Sequence, residues 1–425
     1  MKYGILTLDD FDVADKTVLC RVDINQPVDK VNKKLKDTTR IKACVPTLSE
    51  LQQKGAKLVL LAHQGSDIEY KNYYTLEYHA QYLQEYMGVQ VKFIDDVTGP
   101  AARDAIRALQ SGEVLLLDNV RFVAEEMTLF ELKLNLTFEQ MAQTECVRKL
   151  APLADLYVCD AFAASHRAQP TLCGFQMVLP SCMGRLFEEE YSVVSGVMEA
   201  PQRPCVFVLG GAKIDDAFAM MRTVLQNGIA DSVIAGGVVA NVLLESANKS
   251  IGKASYEFLR RNNSLDHIET GRQLLADFKD KIEIPQDLAC VIDGVRHEHS
   301  VDELQDEHGY IDIGHETAKR FSEILMGAKT IFINGPMGIF EEEISEYGSR
   351  AVWEASANSE GFTVLGGGDS ITATKKFGLT DRMGFVCTGG GALIRFLTGE
   401  EVPVVKALRM AAKRDARPGD RAADV

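Results

Sequence analysis

Five apolar, β-branched runs in the second half of the chain end in glycine. Leu209 is followed by Gly210-Gly211-Ala212-Lys213, Ala235 by Gly236-Gly237, Asn334 by Gly335-Pro336-Met337-Gly338, Leu365 by Gly366-Gly367-Gly368-Asp369-Ser370, and Thr388 by Gly389-Gly390-Gly391. Glycine at a strand end lets backbone N–H groups approach a phosphate with no Cβ in the way, and a helix that starts there adds the positive end of its dipole. A single such turn is the ordinary choice for a tight strand-to-helix connection, whereas five in one half predict a nucleotide site. Within them Lys213 can donate to a phosphoryl oxygen as a point charge. Asp369 can cap the next helix, hold Mg²⁺ beside substrate phosphates, or do both.

The first half offers cations instead: Arg21, Arg40, His63, Arg121, His166 and Arg167 lie at or beyond strand ends. In Arg21-Val22-Asp23-Ile24-Asn25 the alternation of an extended strand sends Arg21, Asp23 and Asn25 to one side. A carboxylate and an amide at a strand end can bind a hydroxyl, and the arginines and histidines together would form a cationic bowl for a small phosphorylated acid. Each of them alone is more often a salt-bridge partner or a structural histidine; the weight lies in their joint occurrence.

Better-known fingerprints are missing. There is no G-x-x-x-x-G-K-[ST], and no G-x-G-x-x-G with an acidic residue about 20 positions on, so neither a Walker-type NTPase nor a nicotinamide-dependent dehydrogenase is supported. His297, His299 and His308 lie in an acidic region without the spacing of a metal site. Glu341-Glu342-Glu343 reads as a solvated helix start, with Glu341 next to the Gly335–338 turn.

The elements that must position these residues alternate along the chain. Strands are expected at 17–23, 57–62, 113–117 and 155–159, then at 205–209, 232–235, 289–292, 330–333 and 363–365. Helices are expected at 40–54, 75–87, 101–110, 215–226, 316–326 and 350–359. Strand, helix, strand means parallel sheets covered on both faces, here an α/β chain of two Rossmann-like lobes. After Pro180 a helical stretch at 182–199, stopped by Pro201 and Pro204, reads as a long connecting helix. The expected division is 1–180, a connector at 181–200, a second lobe at 201–390, and a C-terminal helix and tail, 391–425, returning to the first lobe. The 425 residues suit two or three domains, and the 46% hydrophobic content supports sizeable cores. A formal net charge of −15 disfavours nucleic acid and anionic membranes, so any bound anion needs a local basic site. The acidic pair Asp9-Asp10 interrupts any leader-like apolar stretch, and no run approaches 18 apolar residues, which points to a cytoplasmic protein. Nine scattered cysteines without C-x-x-C spacing read as buried free thiols.

Seven ordered segments resemble the phosphoglycerate kinase family over essentially the whole chain. They are Arg21-Val22-Asp23-Ile24-Asn25, Leu116-Leu117-Asp118-Asn119-Val120-Arg121-Phe122, Asp160-Ala161-Phe162-Ala163-Ala164-Ser165-His166-Arg167, and the four glycine segments that begin at Gly210, Asn334, Gly366 and Thr388. The resemblance implies reversible phosphoryl transfer between 1,3-bisphosphoglycerate and ADP, giving 3-phosphoglycerate and ATP with Mg²⁺, a step of glycolysis. It assigns Asp23, Asn25, Arg40, His63, Arg121 and Arg167 to phosphoglycerate, with His166 beside them. It places Gly210, Gly211, Gly236, Gly237, Asn334, Pro336, Glu341, Gly366, Gly367, Gly368, Asp369 and Ser370 around the nucleotide, Glu341 at the ribose and Asp369 at the metal. Arg40, Lys213 and the helix start after Gly389, Gly390 and Gly391 would stabilise the phosphoryl group in flight. It also implies closure of the two lobes, and a monomer or small homo-oligomer that binds neither nucleic acid nor membrane.

Two positions depart from the family pattern. Ser66 stands where an arginine is expected after His63, and Ala217 where a second lysine follows Lys213 by four residues. The Gly-Ala-Lys-Ile-Asp-Asp wording resembles the archaeal branch. An arginine lost from an anion site removes roughly 1.5–3 kcal/mol per charged hydrogen bond, which weakens binding without abolishing it. The alternative reading is a non-catalytic, metabolite-binding paralogue of the same fold; such a protein would have no need of Arg40, Lys213 and Asp369 together.

Overall fold

In the computed structural model, which describes residues 1–29, 31–65, 73–131 and 134–415, the apolar runs become strands buried on both faces. Strands β1 (Thr17–Arg21), β2 (Lys57–Leu61), β3 (Val91–Ile94), β4 (Val114–Leu117), β5 (Leu156–Cys159) and β6 (Ser181–Met183) form a parallel sheet in the order β3-β4-β2-β1-β5-β6. Val18, Leu58, Leu116 and Val158 are wholly buried, as parallel strands between two helical layers require. A second parallel sheet runs β15-β14-β13-β7-β8-β9, built from β7 (Cys205–Leu209), β8 (Ser232–Ala235), β9 (Ile282–Glu283), β13 (Thr330–Asn334), β14 (Phe362–Gly366) and β15 (Phe385–Val386). The chain forms two compact units, one of residues 1–192 with 401–425, the other of residues 193–400.

Three sequence expectations change. The apolar run at 289–292 belongs to neither parallel sheet: β10 (Asp287–Ile292) pairs antiparallel with β11 (Val295–Ser300) and β12 (Tyr310–Ile313) in a separate three-stranded sheet. Residues 182 and 183, expected to be helical, belong to β6, where Cys182 pairs with Val158, and the connecting helix is Arg185–Glu199. The helix Gly390–Leu397, expected to lead back to the first unit, stays with the second, because Leu393 fills the space beside Gly366, where a Cβ would lie 2.1 Å from its side chain. The return is made by the helix Pro403–Asp415, whose Arg414 donates to the carbonyls of Gln176 and Leu179 at 2.7 Å each. All nine cysteines are buried thiols. Among the described residues no helix is long and apolar enough to cross a membrane.

The first turn of the connecting helix has four N–H groups that lack helical partners. Asp160 Oδ1, at the end of β5, accepts from the Leu186 and Phe187 amides at 3.0 and 3.3 Å, and Thr47 Oγ1 accepts from Arg185 at 2.9 Å. Asp160 is 0% exposed, and this burial pushes its carboxyl up to about 7 against the opposing pull of Thr47 and the two amides, with the nearby Glu190 adding to the rise. An acid raised in the folded state holds a proton that the unfolded chain has released. Its contribution is therefore complete below its ordinary value of 3.8 and is lost as pH climbs to about 7. Asp160→Asn keeps the Oδ1 acceptor without the charge, so its stability relative to the parent should rise with pH across this window, by up to about 1.4 kcal/mol per unit. Urea unfolding midpoints of both chains at pH 5 and pH 8 measure this, and parallel pH dependences would disprove it.

Candidate functional site

Beyond the carboxyl ends of β1, β2, β4 and β5, the first unit gathers its cations. Arg21 is 0% exposed; its Nε donates to Thr171 Oγ1 at 3.2 Å and its guanidinium reaches His63 Nδ1 at 3.1 Å. Behind it the buried Glu126 accepts from the Thr171 amide at 3.0 Å; burial raises its carboxyl, and the Arg21 charge is the largest pull against that rise. Burial, then the charges of Arg21, Arg121, Arg167 and Arg40, hold His63 well below the usual histidine range, so the ring is neutral at pH 7. An arginine only donates, so Nδ1 accepts and the ring proton sits on Nε2. Nε2 lies 3.4 Å from the Arg167 guanidinium. Both groups donate, so an anion set beside the pair can accept from each.

The remaining first-half residues join this cluster with different duties. Asp23 accepts from Arg40 Nη1 through both oxygens, at 3.2 and 3.1 Å, and anchors one end of that guanidinium. Asn25 does not face open space: its side chain exchanges two hydrogen bonds with the Gly65 backbone, at 3.3 and 3.0 Å, and so shapes the His63 loop. Arg121 also donates to the Gly65 carbonyl, and burial, followed by the Arg167 charge, pulls its guanidinium down to about 10. His166 is half-buried in the turn before Arg167, and the bonds just described do not pass through it. Two supports escaped sequence reasoning. Asn119 Oδ1 accepts from the Arg121 and Gln64 amides at 3.1 and 3.2 Å, and Gln64 ties to Gln26 and His79. Asn119 stands within the Asp118-Asn119-Val120-Arg121 motif, which was the available signal. Ser66 lies outside the described residues.

In the second unit the glycine turns interlock backbone to backbone. Gly210 N donates to Asn334 O at 2.9 Å, Gly211 N to Pro336 O at 2.8 Å, and Gly237 N to Met337 O at 2.8 Å. A Cβ on Gly335, whose φ is +97°, would lie 2.2 Å from Gly210 O, so only glycine fits there. The turns enclose two cavities that share Gly211, Ala212 and Asp369. The larger, about 860 Å³, runs past Gly237, Pro336 and Glu341 to the helix Lys253–Arg261. The smaller, about 260 Å³, is lined by Gly210, Lys213, Asn334, Gly367, Gly368, Ser370, Gly390 and Gly391. Helices start at Gly237, Gly368 and Gly390, so three amino-terminal ends face these spaces. Gly236, Gly366 and Gly389 line neither: Gly236 packs under Met337, Gly366 against Leu393, and Gly389 caps the start of the helix Gly390–Leu397. The side chains of Lys213 and Asp369 are exposed and make no hydrogen bond or ion pair among the described residues, so the small cavity holds one cation and two carboxylates, Asp369 and the half-buried Asp216, whose charge Lys213 feels. Ala217 also borders that cavity. His297 and His299 lie on β11, His299 stacking on His308 at 6.1 Å, and the described residues hold no cluster of three His, Cys, Asp or Glu side chains placed for a metal.

The family model described as phosphoglycerate kinase matches residues 8–400. The chain belongs to the phosphoglycerate kinase family. It is 41% identical to the phosphoglycerate kinase of Methanobacterium bryantii over 408 residues, covering 96% of this chain and 98% of the relative, and 43% identical to that of Methanococcus maripaludis over 407 residues, covering 95% and 97%. The crystal structure of the phosphoglycerate kinase from Pyrococcus horikoshii OT3 superposes with a TM-score of 0.87 at 38% identity, over 96% of this chain and all of that one. That of Coxiella burnetii gives 0.80 at 29% identity, with the same coverage. These relatives include the archaeal ones that the Gly-Ala-Lys-Ile-Asp-Asp wording resembles, and the two parallel sheets agree with the family's fold.

Proposed function

We propose that this phosphoglycerate kinase family member transfers a phosphoryl group reversibly between the acyl phosphate of 1,3-bisphosphoglycerate and ADP, giving 3-phosphoglycerate and ATP, as the glycolytic enzyme of a cytoplasm. The observation that carries the reading is the division of labour. One unit concentrates arginines around a neutral histidine, and the other surrounds two joined cavities with helix starts, an exposed lysine and an exposed carboxylate.

Arg167, Arg121 and the His63 Nε2–H receive the phosphate of phosphoglycerate, Asn25 and Gln64 hold the loop that presents His63, and Asp23 aims Arg40 at the reacting carboxylate. His166 lies beside this group. In the other unit the larger cavity takes the nucleoside, with Glu341 at the ribose, and the smaller takes the phosphates against Lys213 and the Gly368 and Gly390 helix starts. Asp369 suits Mg²⁺, because that ion is usually held by one or two carboxylates together with substrate phosphates, and this carboxylate is exposed and without a partner. When bound, the ion neutralises charge on the nucleotide phosphates.

Phosphoryl transfer needs alignment and neutralisation of the equatorial oxygens more than covalent help. The acceptor, a carboxylate or a phosphate, is already ionised at pH 7, so no general base is required. Arg40 and Lys213 supply positive charge to the group in flight. Transfer therefore proceeds in a closed state in which both reach it and water is excluded. The purified chain with Mg²⁺, ATP and 3-phosphoglycerate should form an acyl phosphate, detected as the hydroxamate or by coupling to a reductive dehydrogenase. Binding of both ligands without turnover would overturn the reading in favour of the metabolite-binding paralogue.

A further inference from the structure

The small antiparallel sheet takes no part in the chemistry so far, yet its strand β12 is a wall of the larger cavity: Ile311, Asp312 and Ile313 all face it. The Pro336-Met337-Gly338 turn leans on this strand. Ile339 N donates to Ile311 O at 2.9 Å, and Gly338 approaches so closely that a Cβ there would lie 2.6 Å from the Asp312 Cα. Where β12 stands thus determines where the opposite lip of the cavity stands.

β12 carries a buried carboxyl group, that of Asp312, which burial pushes up to about 7 against the opposing pull of the Gly348 amide and Arg296. The Asp312 side chain is 0% exposed; its Oδ2 accepts from the Gly348 amide at 2.8 Å, while Oδ1 is buried with no hydrogen-bond partner among the described residues. A buried carboxylate is tolerated only with a compensating cation. That cation is Arg296, from the middle of β11. Its guanidinium donates to Asp312 Oδ2 at 3.0 Å and to Ile313 O at 2.8 Å, and Nε donates to Glu298 Oε1 at 2.9 Å. Its face covers the Tyr347 ring, 5.4 Å from the centroid. Glu298 is braced in turn by His315, whose amide donates to Oε2 at 2.9 Å. Arg296 is not among the residues that line the cavity.

We infer that Arg296 is a positioning residue for the nucleotide: it fixes β12, and through β12 the Gly338 lip, in the arrangement that receives the base and ribose. The inference rests on the larger cavity being the nucleoside site. Without Arg296 the buried Asp312 carboxyl loses its cation and takes up a proton or draws in water, β12 loses the anchor that joins Asp312 and Ile313 O to β11, and nucleotide binding suffers while the first unit is untouched. Lysine keeps the charge but cannot serve Asp312, Ile313 O and Glu298 at once.

The test is calorimetry on the full chain, with Mg²⁺-ADP and 3-phosphoglycerate titrated separately. Arg296→Met should raise the Mg²⁺-ADP Kd about tenfold and Arg296→Lys about threefold, within the span of indirect coupling energies, with the 3-phosphoglycerate Kd within twofold of the parent. Adding Asp312→Asn to Arg296→Met removes the stranded carboxyl and should recover most of the loss. This pair, with Arg296→Lys, decides the matter should Arg296→Met fail to fold. Unchanged Mg²⁺-ADP affinity in these variants, or equal weakening of both ligands, would overturn the positioning role. A parent chain that binds no Mg²⁺-ADP would instead overturn the nucleoside assignment itself.

Discussion

Arg40→Ala and Lys213→Ala will each lower kcat by about a thousandfold while changing KM only a few-fold, because a donor aimed at charge that develops in the transition state contributes about 10²–10³ and a phosphoryl-stabilising arginine 10³ or more. Arg40 is held by both Asp23 oxygens, and Lys213 stands at the start of the helix Ile214–Gln226, its side chain in no hydrogen bond or ion pair among the described residues. Neither is part of a core. Lys213 is exposed, so Lys213→Ala should unfold near the parent temperature, whereas Asp23 is buried, so Arg40→Ala leaves that carboxylate without its cation and should unfold at a lower temperature while still folding at about 25 °C. Arg40→Lys, which keeps the charge but not the planar array of donors, should recover only part of the rate. Steady-state kinetics beside thermal unfolding separate the outcomes. A near-normal kcat in either alanine variant would remove that residue from the transition state.

Gly335→Ala should cost at least a hundredfold in nucleotide affinity. The new methyl would sit 2.2 Å from the Gly210 carbonyl oxygen and 2.4 Å from its carbon, with φ at +97°, so the turns after β7 and β13 would have to part. Those turns line both cavities and set the position of Lys213. Gly228→Ala is the control: φ is likewise positive, at +64°, but nothing lies within 4 Å of the added Cβ, so only a backbone penalty of about 1 kcal/mol remains and binding should persist. Titration of both variants with Mg²⁺-ADP reads the difference, and 3-phosphoglycerate binding reports that the first unit is intact. Affinity preserved in Gly335→Ala would mean that the interlocked turns yield at little cost.

What the sequence discloses depends on how local the cause is. The buried parallel strands and the glycines at their ends follow from short-range chemistry, and both are legible. The run at 289–292 reads like one more parallel strand, because a short apolar stretch says nothing about the direction of its neighbour. The cue was the next dipeptide. Asp293 and Gly294, at φ +49° and +76°, make the tight hairpin turn that aspartate-glycine favours, and it sends β11 back along β10. β6 is three residues long and exists only because β5 offers an edge. In the site, the arginines and His63 announce themselves by type. The neutrality of His63 does not, since it depends on burial among Arg21, Arg121, Arg167 and Arg40, nor does the full burial of Arg21, which depends on Thr171 and Glu126, more than a hundred positions further along the chain. Arg296 was hidden for the same reason: its partner Asp312 becomes a neighbour only after the hairpin closes.

The first unit is discontinuous, and this imposes an order on its assembly. Its last piece, the helix Pro403–Asp415, buries Val404, Ala407, Leu408 and Ala411 completely within that unit. A ribosome that has finished residue 192 must still make the roughly two hundred residues of the other unit before this helix appears, an interval of about 10–40 s at 5–20 residues per second. Throughout that time the groove awaiting the helix is open, while the later unit, contiguous in sequence, can complete itself as it emerges. The nascent amino-terminal half therefore presents an apolar face to holdases and other nascent chains, and the helix Pro403–Asp415 acts as the latch that withdraws it.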